Sequence, residues 1–376
     1  MRLLAWLHRW TGGLIGLLLA LLGATGSLLV WKEEYLGWTL GGPGAAPLSG
    51  ASQYAAVTRT MLESASATPR NIIFSHDGFA LNSLSDIAGG GFYADQSGQF
   101  ITGWTSSWDR PETFLFDLHH HLLIGETGEL VTGIAGLIGI AFVVTGLILW
   151  WRSRKTFRLR LWPARMTRSA IVRQHRDLGA VMAPLLFLTM LTGVMMTLRP
   201  VAHLILSPLS SAKEMQAATA PPPVKGGRAD RIDWDEIYRT AEQRFPQAEL
   251  RIANLPRQPG DLLTLRMKQP AEWLPNGRTL LWFDAATARL VDARDANDHP
   301  VGLKAFNLAY PLHAAKVGGW VYQILQTLTG LALTLLGSLA VWSFWFRGRQ
   351  GQIGNTSISA SVLQAACCET QSPRVH

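Results

Sequence analysis

Cysteine is nearly missing from this chain of 376 residues: the two present, Cys367 and Cys368, are adjacent in the C-terminal tail. Adjacent cysteines scarcely bridge to each other without strain, and two are too few to hold an iron–sulfur cluster. Neither a disulfide framework nor a cysteine-ligated cluster is therefore expected. Also missing are a G-x-G-x-x-G stretch opening a helix after a strand, a phosphate loop, an evident nucleophile and a carboxylate pair. That removes a built-in nicotinamide or flavin domain and ordinary acid–base catalysis. Charge is sparse as well, at 16% of residues.

What is abundant is apolar sequence gathered into blocks. Four segments, 12–31, 131–151, 178–198 and 321–346, run for about 20 residues or more without an internal charge. That is the length a helix needs to cross a hydrocarbon layer about 30 Å thick. Four transmembrane helices are expected, and the first is read as retained rather than cleaved, because its apolar stretch is too long for a secretory signal. The loop 152–176 carries nine Arg or Lys and no acid. Short loops this basic stay in the cytoplasm, so both termini are expected there, with Arg2, Arg9, Arg347 and Arg349 agreeing. The formal charge of +8 then describes topology rather than nucleic-acid binding, since the basic residues sit at membrane edges.

The chain also echoes itself. His8-Arg9 and Gly12 are answered by His175-Arg176 and Gly179, and Thr25-Gly26 lies as far beyond His8 as Thr192-Gly193 lies beyond His175. Between the apolar blocks, a linker at 41–50, a helix near Tyr54, Val57, Met61 and Leu62, and strands at 71–84 and 91–101 are matched by a second series. It has a Pro221-Pro222-Pro223 linker, a helix at 233–245 and strands at 249–255, 262–268 and 279–283. Leu118-His119 with Gly125 returns as Leu312-His313 with Gly319, although the second return lacks the Gly-x-x-Gly ending of the first. Internal similarity of this order implies a parallel two-fold repeat with its axis along the membrane normal.

The expected fold is thus membrane α-helical, with four transmembrane helices and two small exported α+β domains. The boundaries are 1–34 for the first helix, 35–118 for the first exported domain, and 119–152 for the return segment and second helix. A basic cytoplasmic loop at 153–173 precedes the third helix at 174–199. The second exported domain is 200–312, the second return and fourth helix 313–347, and the cytoplasmic tail 348–376.

Four of the ten histidines occupy the repeated positions: His8 and His175 inside, His119 and His313 outside. Ionisable side chains at membrane depth are candidates for function, and two imidazoles facing each other across a bundle supply both axial nitrogens to one haem iron. Gly12, Gly13, Gly16 and Gly179 would let a flat macrocycle approach, and Arg9 and Arg176 would pair with its propionates. His120, His121 and His203 rival the outer assignments; Met195 and Met196 are read as packing, and His76 and His299 as turn or surface residues. Zinc is the competing metal, but successive histidines at 119–121 would point about 100° apart on a helix and so would not converge. Tryptophans at helix ends read as interfacial anchors, while Trp104, Trp108 and Trp273 are open to either ligand contact or burial.

The stretches LHRWTGGLIGLLLALLGATGSLLVWK, LHHHLLIGETGELVTGIAGLIGIAFVVTGLILWW and FYADQSGQF together resemble the PepSY-associated transmembrane family, and within it the FoxB-type ferric-siderophore reductases. The resemblance implies PepSY-like exported domains and a dihaem b-type oxidoreductase of the bacterial inner membrane, with haem b held by His8, His175, His119 and His313. It implies electrons passed outward to a ferric hydroxamate siderophore, releasing Fe(II), with quinol or a cytoplasmic flavoprotein as donor. Two other readings compete: a siderophore permease or ligand-binding membrane module without redox activity, and a restraint on a peptidase.

Overall fold

A computed structural model describes residues 1–41, 48–227 and 231–345, so Cys367, Cys368, Arg347, Arg349 and most of the 41–50 linker lie outside the described residues. Among the described residues, four helices are long and apolar enough to cross a membrane: α1 (Arg2–Leu29), α5 (Glu126–Trp151), α6 (Arg168–Thr197) and α12 (Gly319–Trp345). Shorter helices connect them to the sheet: α2 (Lys32–Leu40), α3 (Ala51–Glu63) and α4 (Pro111–His121) in the first half, α7 (Arg199–Leu206), α8 (Ala212–Ala217), α9 (Trp234–Arg244), α10 (Val301–Asn307) and α11 (Ala309–His313) in the second.

Glycine sets the distance between the long helices. A Cβ placed on Gly337 would sit 2.3 Å from the Gly16 carbonyl oxygen, and one on Gly330 would sit 2.5 Å from that of Gly23. Residues 16 and 23 of α1 therefore meet residues 337 and 330 of α12 in antiparallel order, backbone against backbone. Lipid offers no hydrophobic drive between helices, so such close contact and the hydrogen bonds it permits supply the attraction. Ser27 Oγ donates to the Thr327 carbonyl at 3.1 Å and Thr334 Oγ1 to the Ala20 carbonyl at 3.1 Å. The α5–α6 pair uses the same device with larger partners, Gly133 against Leu198, Gly136 against Val194 and Gly139 against Met190. Leu186 and Met190 of α6 then pack with Ala332 and Leu336 of α12, which joins the two pairs into one bundle.

The strands are β1 (Pro69–Ile73), β2 (Asn82–Asp86), β3 (Gly91–Ala94), β4 (Phe100–Trp104), β5 (Glu249–Asn254), β6 (Leu263–Lys268), β7 (Thr279–Asp284) and β8 (Arg289–Arg294). They do not form two separate domains. Their order is β4-β3-β2-β1-β5-β6-β7-β8, a single eight-stranded sheet in which every pairing is antiparallel. The centre is the β1–β5 pair, where Ile72 faces Ala253. One hydrophobic core crosses that seam: Val57, Met61, Ile72 and Phe74 share it with Trp234, Ile237, Tyr238 and Leu265. Thr58 Oγ1 and the Tyr238 hydroxyl, buried 2.8 Å apart, tie α3 to α9 over the sheet. Each four-stranded unit alone would leave an open edge and half a core, so edge pairing removes an exposed template and buries apolar area together. The expected strand 71–84 is broken by a tight turn at His76 and Phe79, which exchange backbone hydrogen bonds.

The sheet unit is keyed to the bundle. Leu36 of α2, 1% exposed, packs with Leu81 and Tyr93. Lys316 pairs with Glu33 at 2.8 Å, and Gln323 donates to Glu34 at 2.5 Å. Trp6, Trp151, Trp320 and Trp345 lie exposed at helix ends, where an indole sits at a lipid–water boundary.

The glycine seam yields a test. Gly330→Ala would press a methyl group to 2.2 Å from Ser27 Oγ and 2.5 Å from the Gly23 carbonyl. Separating the helices should cost about 1–3 kcal/mol, seen as a lower thermal midpoint of the detergent-solubilised protein, whereas Gly37→Ala, with no atom near the added carbon, should leave it unchanged.

Candidate functional site

Two pairs of histidine rings lie in the bundle, one near each end of α1. His8 and His175 have ring centres 6.3 Å apart with planes at 87°, and His119 and His313 have centres 6.1 Å apart at 52°. Eighteen residues separate His8 from Gly26, whose Cα lies against the His119 ring. At 1.5 Å per residue the pairs stand roughly 27 Å apart along the helix, close to the thickness of a hydrocarbon layer.

Three of the four rings rest on a Thr-Gly dipeptide of a neighbouring helix. His8 Nδ1 is 2.8 Å from Thr145 Oγ1 beside Gly146, His119 Nδ1 is 2.9 Å from Thr25 Oγ1 beside Gly26, and His313 Nδ1 is 3.3 Å from Thr192 Oγ1 beside Gly193. Glycine lets the ring lie against the helix: the Cβ that it lacks would be 3.6, 3.0 and 2.9 Å from the three imidazole Cε1 atoms. The threonine selects the tautomer. Each hydroxyl already donates to its own helix, Thr145 to Ala141, Thr25 to Leu21 and Thr192 to Leu188, at 2.6, 2.8 and 2.8 Å. Each can then only accept from the histidine, which makes Nδ1 the protonated nitrogen. For His313 the same conclusion follows from the Thr189 carbonyl, 2.9 Å from Nδ1, since a carbonyl only accepts. The His175 ring has no such threonine; it lies beside the His8 ring at the wall of a cavity that Leu336 and Gly337 also line.

The consequence is that Nε2 of His8, His119 and His313 keeps a free lone pair, the form in which imidazole binds a metal. Two imidazoles gripping one ion from opposite sides, with bonds of about 2 Å and about 1.1 Å from nitrogen to ring centre, have centres about 6 Å apart. Both pairs match that spacing. Removal from water holds the His119 imidazole down to about 3, helped by His313 beside it, and lowers His313 as well, so the outer pair is neutral at physiological pH.

A cavity of about 770 Å³ opens around His8 and His175. Gly12, Gly16, Gly139, Gly146 and Gly179 form its walls, and a Cβ on Gly179 would meet nothing within 4 Å. Its size and largely apolar lining, with glycines set among larger side chains such as Phe142, Leu186 and Leu336, suit an organic macrocycle. Gly13 does not contribute: it is pressed against the Phe344 ring.

The arginines differ from expectation. Arg9 lines the cavity mouth exposed and without a hydrogen bond or ion pair among the described residues, free to meet an anion. Arg176 also lines the cavity, but its donors go to Asp177 at 2.7 Å and to Thr156 at 3.0 and 3.1 Å. It therefore anchors the basic loop, with Arg160 as the second partner of the fully buried Asp177 carboxylate. Sequence reasoning passed over Asp177, and also Arg2 and Arg168, which share the cavity lining.

Among the rivals, His203 is exposed on α7, and the His120 and His121 rings meet each other, with centres 4.4 Å apart. Their ring nitrogens approach to 3.0 Å, against the expectation that neighbours on a helix would not converge. Met195 packs with Ala202, Leu206 and Leu303. His299 is not a surface residue: it is 5% exposed, with neither ring nitrogen hydrogen-bonded within the described residues. Trp108 and Trp273 are exposed, while Trp104 stacks near Tyr93.

Fold and site together define a helical integral membrane protein with two pairs of half-buried histidines set between its helices. The model of the PepSY-associated TM region matches residues 5–347, and the chain belongs to that family. No curated protein matches it.

The division of labour between the arginines is testable. Arg176→Ala leaves Asp177 with Arg160 and the Arg158 amide, which should cost on the order of 2 kcal/mol, below the ~3–5 kcal/mol for a fully orphaned buried charge. Chemical unfolding in detergent should register that loss for Arg176→Ala and none for Arg9→Ala.

Proposed function

We propose that this chain is a dihaem b-type oxidoreductase of the bacterial inner membrane that passes electrons outward to a ferric hydroxamate siderophore and releases Fe(II) for uptake. The observation that carries the reading is the two imidazole pairs, with ring centres 6.3 and 6.1 Å apart, at opposite ends of the bundle. His8 and His175 would hold one haem b and His119 and His313 the other. A haem held between two imidazoles would supply one-electron transfer rather than oxygen chemistry.

The chain's own groups do the rest. Thr145, Thr25 and Thr192 keep the Nδ1 proton in place, so each ligand nitrogen stays deprotonated and its ring stays oriented. Arg9, Arg2 and Arg168 stand at the mouth of the inner cavity, where guanidinium groups would neutralise carboxylates of a bound macrocycle. Short loops as basic as 152–176 stay in the cytoplasm, which in this reading puts the sheet, on the opposite side of the four spans, in the periplasm. Fe(III) in a hydroxamate cage takes one electron and becomes the softer Fe(II), which hard oxygen donors hold more weakly. No proton need move in that step, in keeping with a site that lacks an acid–base pair. Quinol or a cytoplasmic flavoprotein would supply the electron.

Protein from haem-supplied cells should show reducible b-type absorption bands. His8→Ala or His175→Ala should remove about half of that absorption, His119→Ala or His313→Ala the other half, and each should cut ferric hydroxamate reduction at least tenfold, followed with a ferrous-specific chelator. Colourless wild-type protein would end the assignment.

A further inference from the structure

The turn from α4 into α5 brings together three side chains that the paired histidines do not use. His120 and His121 close α4, and Glu129 stands on the first turn of α5; one donor atom from each lies within 4.8 Å of the others. The chain is bent sharply to achieve this. Leu122 and Leu123 both adopt left-handed backbone, at φ 51° and 62°, a conformation that costs a leucine on the order of 1 kcal/mol or more. Gly128 passes so close to α4 that a Cβ there would fall 1.5 Å from the His121 carbonyl oxygen. Thr132 Oγ1 reaches back to the His120 carbonyl at 3.2 Å.

We infer that His120, His121 and Glu129 form a binding site for a divalent first-row transition-metal ion, separate from the His119–His313 pair. The donor geometry supports this. His120 Nδ1 and His121 Nε2 are 3.0 Å apart, the separation of two nitrogens each about 2.1 Å from one ion and at right angles to each other. The Asp117 carboxylate, 3.0 Å from His121 Nδ1, can only accept, so it takes the Nδ1 proton and leaves Nε2 as the donor atom. A carboxylate behind a ligating histidine is the usual means of fixing its tautomer. His120 is held by stacking on Phe116, with centres 5.5 Å apart and planes at 7°. The Glu129 carboxylate makes no hydrogen bond or ion pair among the described residues.

Two imidazoles and one carboxylate favour iron, cobalt, nickel or zinc over magnesium and calcium, which take oxygen ligands. Three protein donors leave further positions to water, so an ion here could exchange. The identification of Fe(II) as the natural occupant rests on the proposed ferric-chelate reduction, which would release that ion at this end of the bundle. The site itself does not.

Co(II) and Zn(II) are titrated into tag-free, full-length protein in detergent, with calorimetry and elemental analysis as readouts and haem absorption recorded on the same samples. One saturable ion per chain is expected, unaffected by a large excess of Mg(II). Glu129→Gln and His121→Ala should each weaken it at least tenfold, and Asp117→Asn severalfold. Absence of a saturable ion in the wild type, or wild-type affinity in Glu129→Gln, overturns the site. A colourless protein that still binds Co(II) through Glu129 removes the haem reading and leaves this one standing.

Discussion

A histidine ring held among apolar helices has two nitrogens, and the rest of this structure depends on how they are shared out. For three of the four, one nitrogen is satisfied by the protein: a threonine hydroxyl for His8 and His119, a hydroxyl and a carbonyl for His313. A hydroxyl that has already donated to its own helix has only lone pairs to offer, so it enforces the tautomer as firmly as a carbonyl does. The glycine next to it removes the Cβ that would hold the ring away. Thr-Gly is thus a compact seat, built into a single helical turn, that orients an imidazole without introducing a charge into the membrane.

Those seats work only if the helices are close and cannot slide. The Gly16–Gly337 and Gly23–Gly330 contacts bring α1 and α12 together at the backbone, and the hydrogen bonds from Ser27 and Thr334 fix their register. At one end the bundle is clamped by the sheet, whose two four-stranded parts share a core across β1 and β5. Since α1 leads into one part and α6 into the other, joining the parts restrains the spacing of the helices below, and with it the distance between facing rings. At the opposite end Asp177 gathers Arg160 and Arg176 and folds the basic loop against α6.

Much of this was legible in the residues. The four spans stand out because lipid demands long uninterrupted apolar helices, and the helices and strands beyond them follow their hydrophobic periods. The echo between Thr25-Gly26 and Thr192-Gly193 was visible as spacing, but its purpose was not. Nothing local says that a Thr-Gly pair will meet a histidine 94 or 121 residues away, and Thr145-Gly146, which does the same for His8, sits outside the echo. Arg176 read as a free cation because Asp177, its nearest neighbour, and Thr156 become its partners only after the loop folds back. The histidine run 119–121 misled for a similar reason. A regular helix would spread the three rings apart, but the helix ends at His121, and the two rings after His119 lean together toward Glu129.

The sequence by itself determined the membrane-spanning character, the number of long apolar helices, and which histidines lie at their ends, because these depend on composition and period along one chain. Tertiary structure decided which rings face each other, which of the three consecutive histidines joins a pair, which arginine stays free, and that two sheet units become one. Each of those outcomes is a contact between residues distant in the chain, set by how closely backbones can approach and where the last unsatisfied donors and acceptors find partners, and no local pattern carries that information.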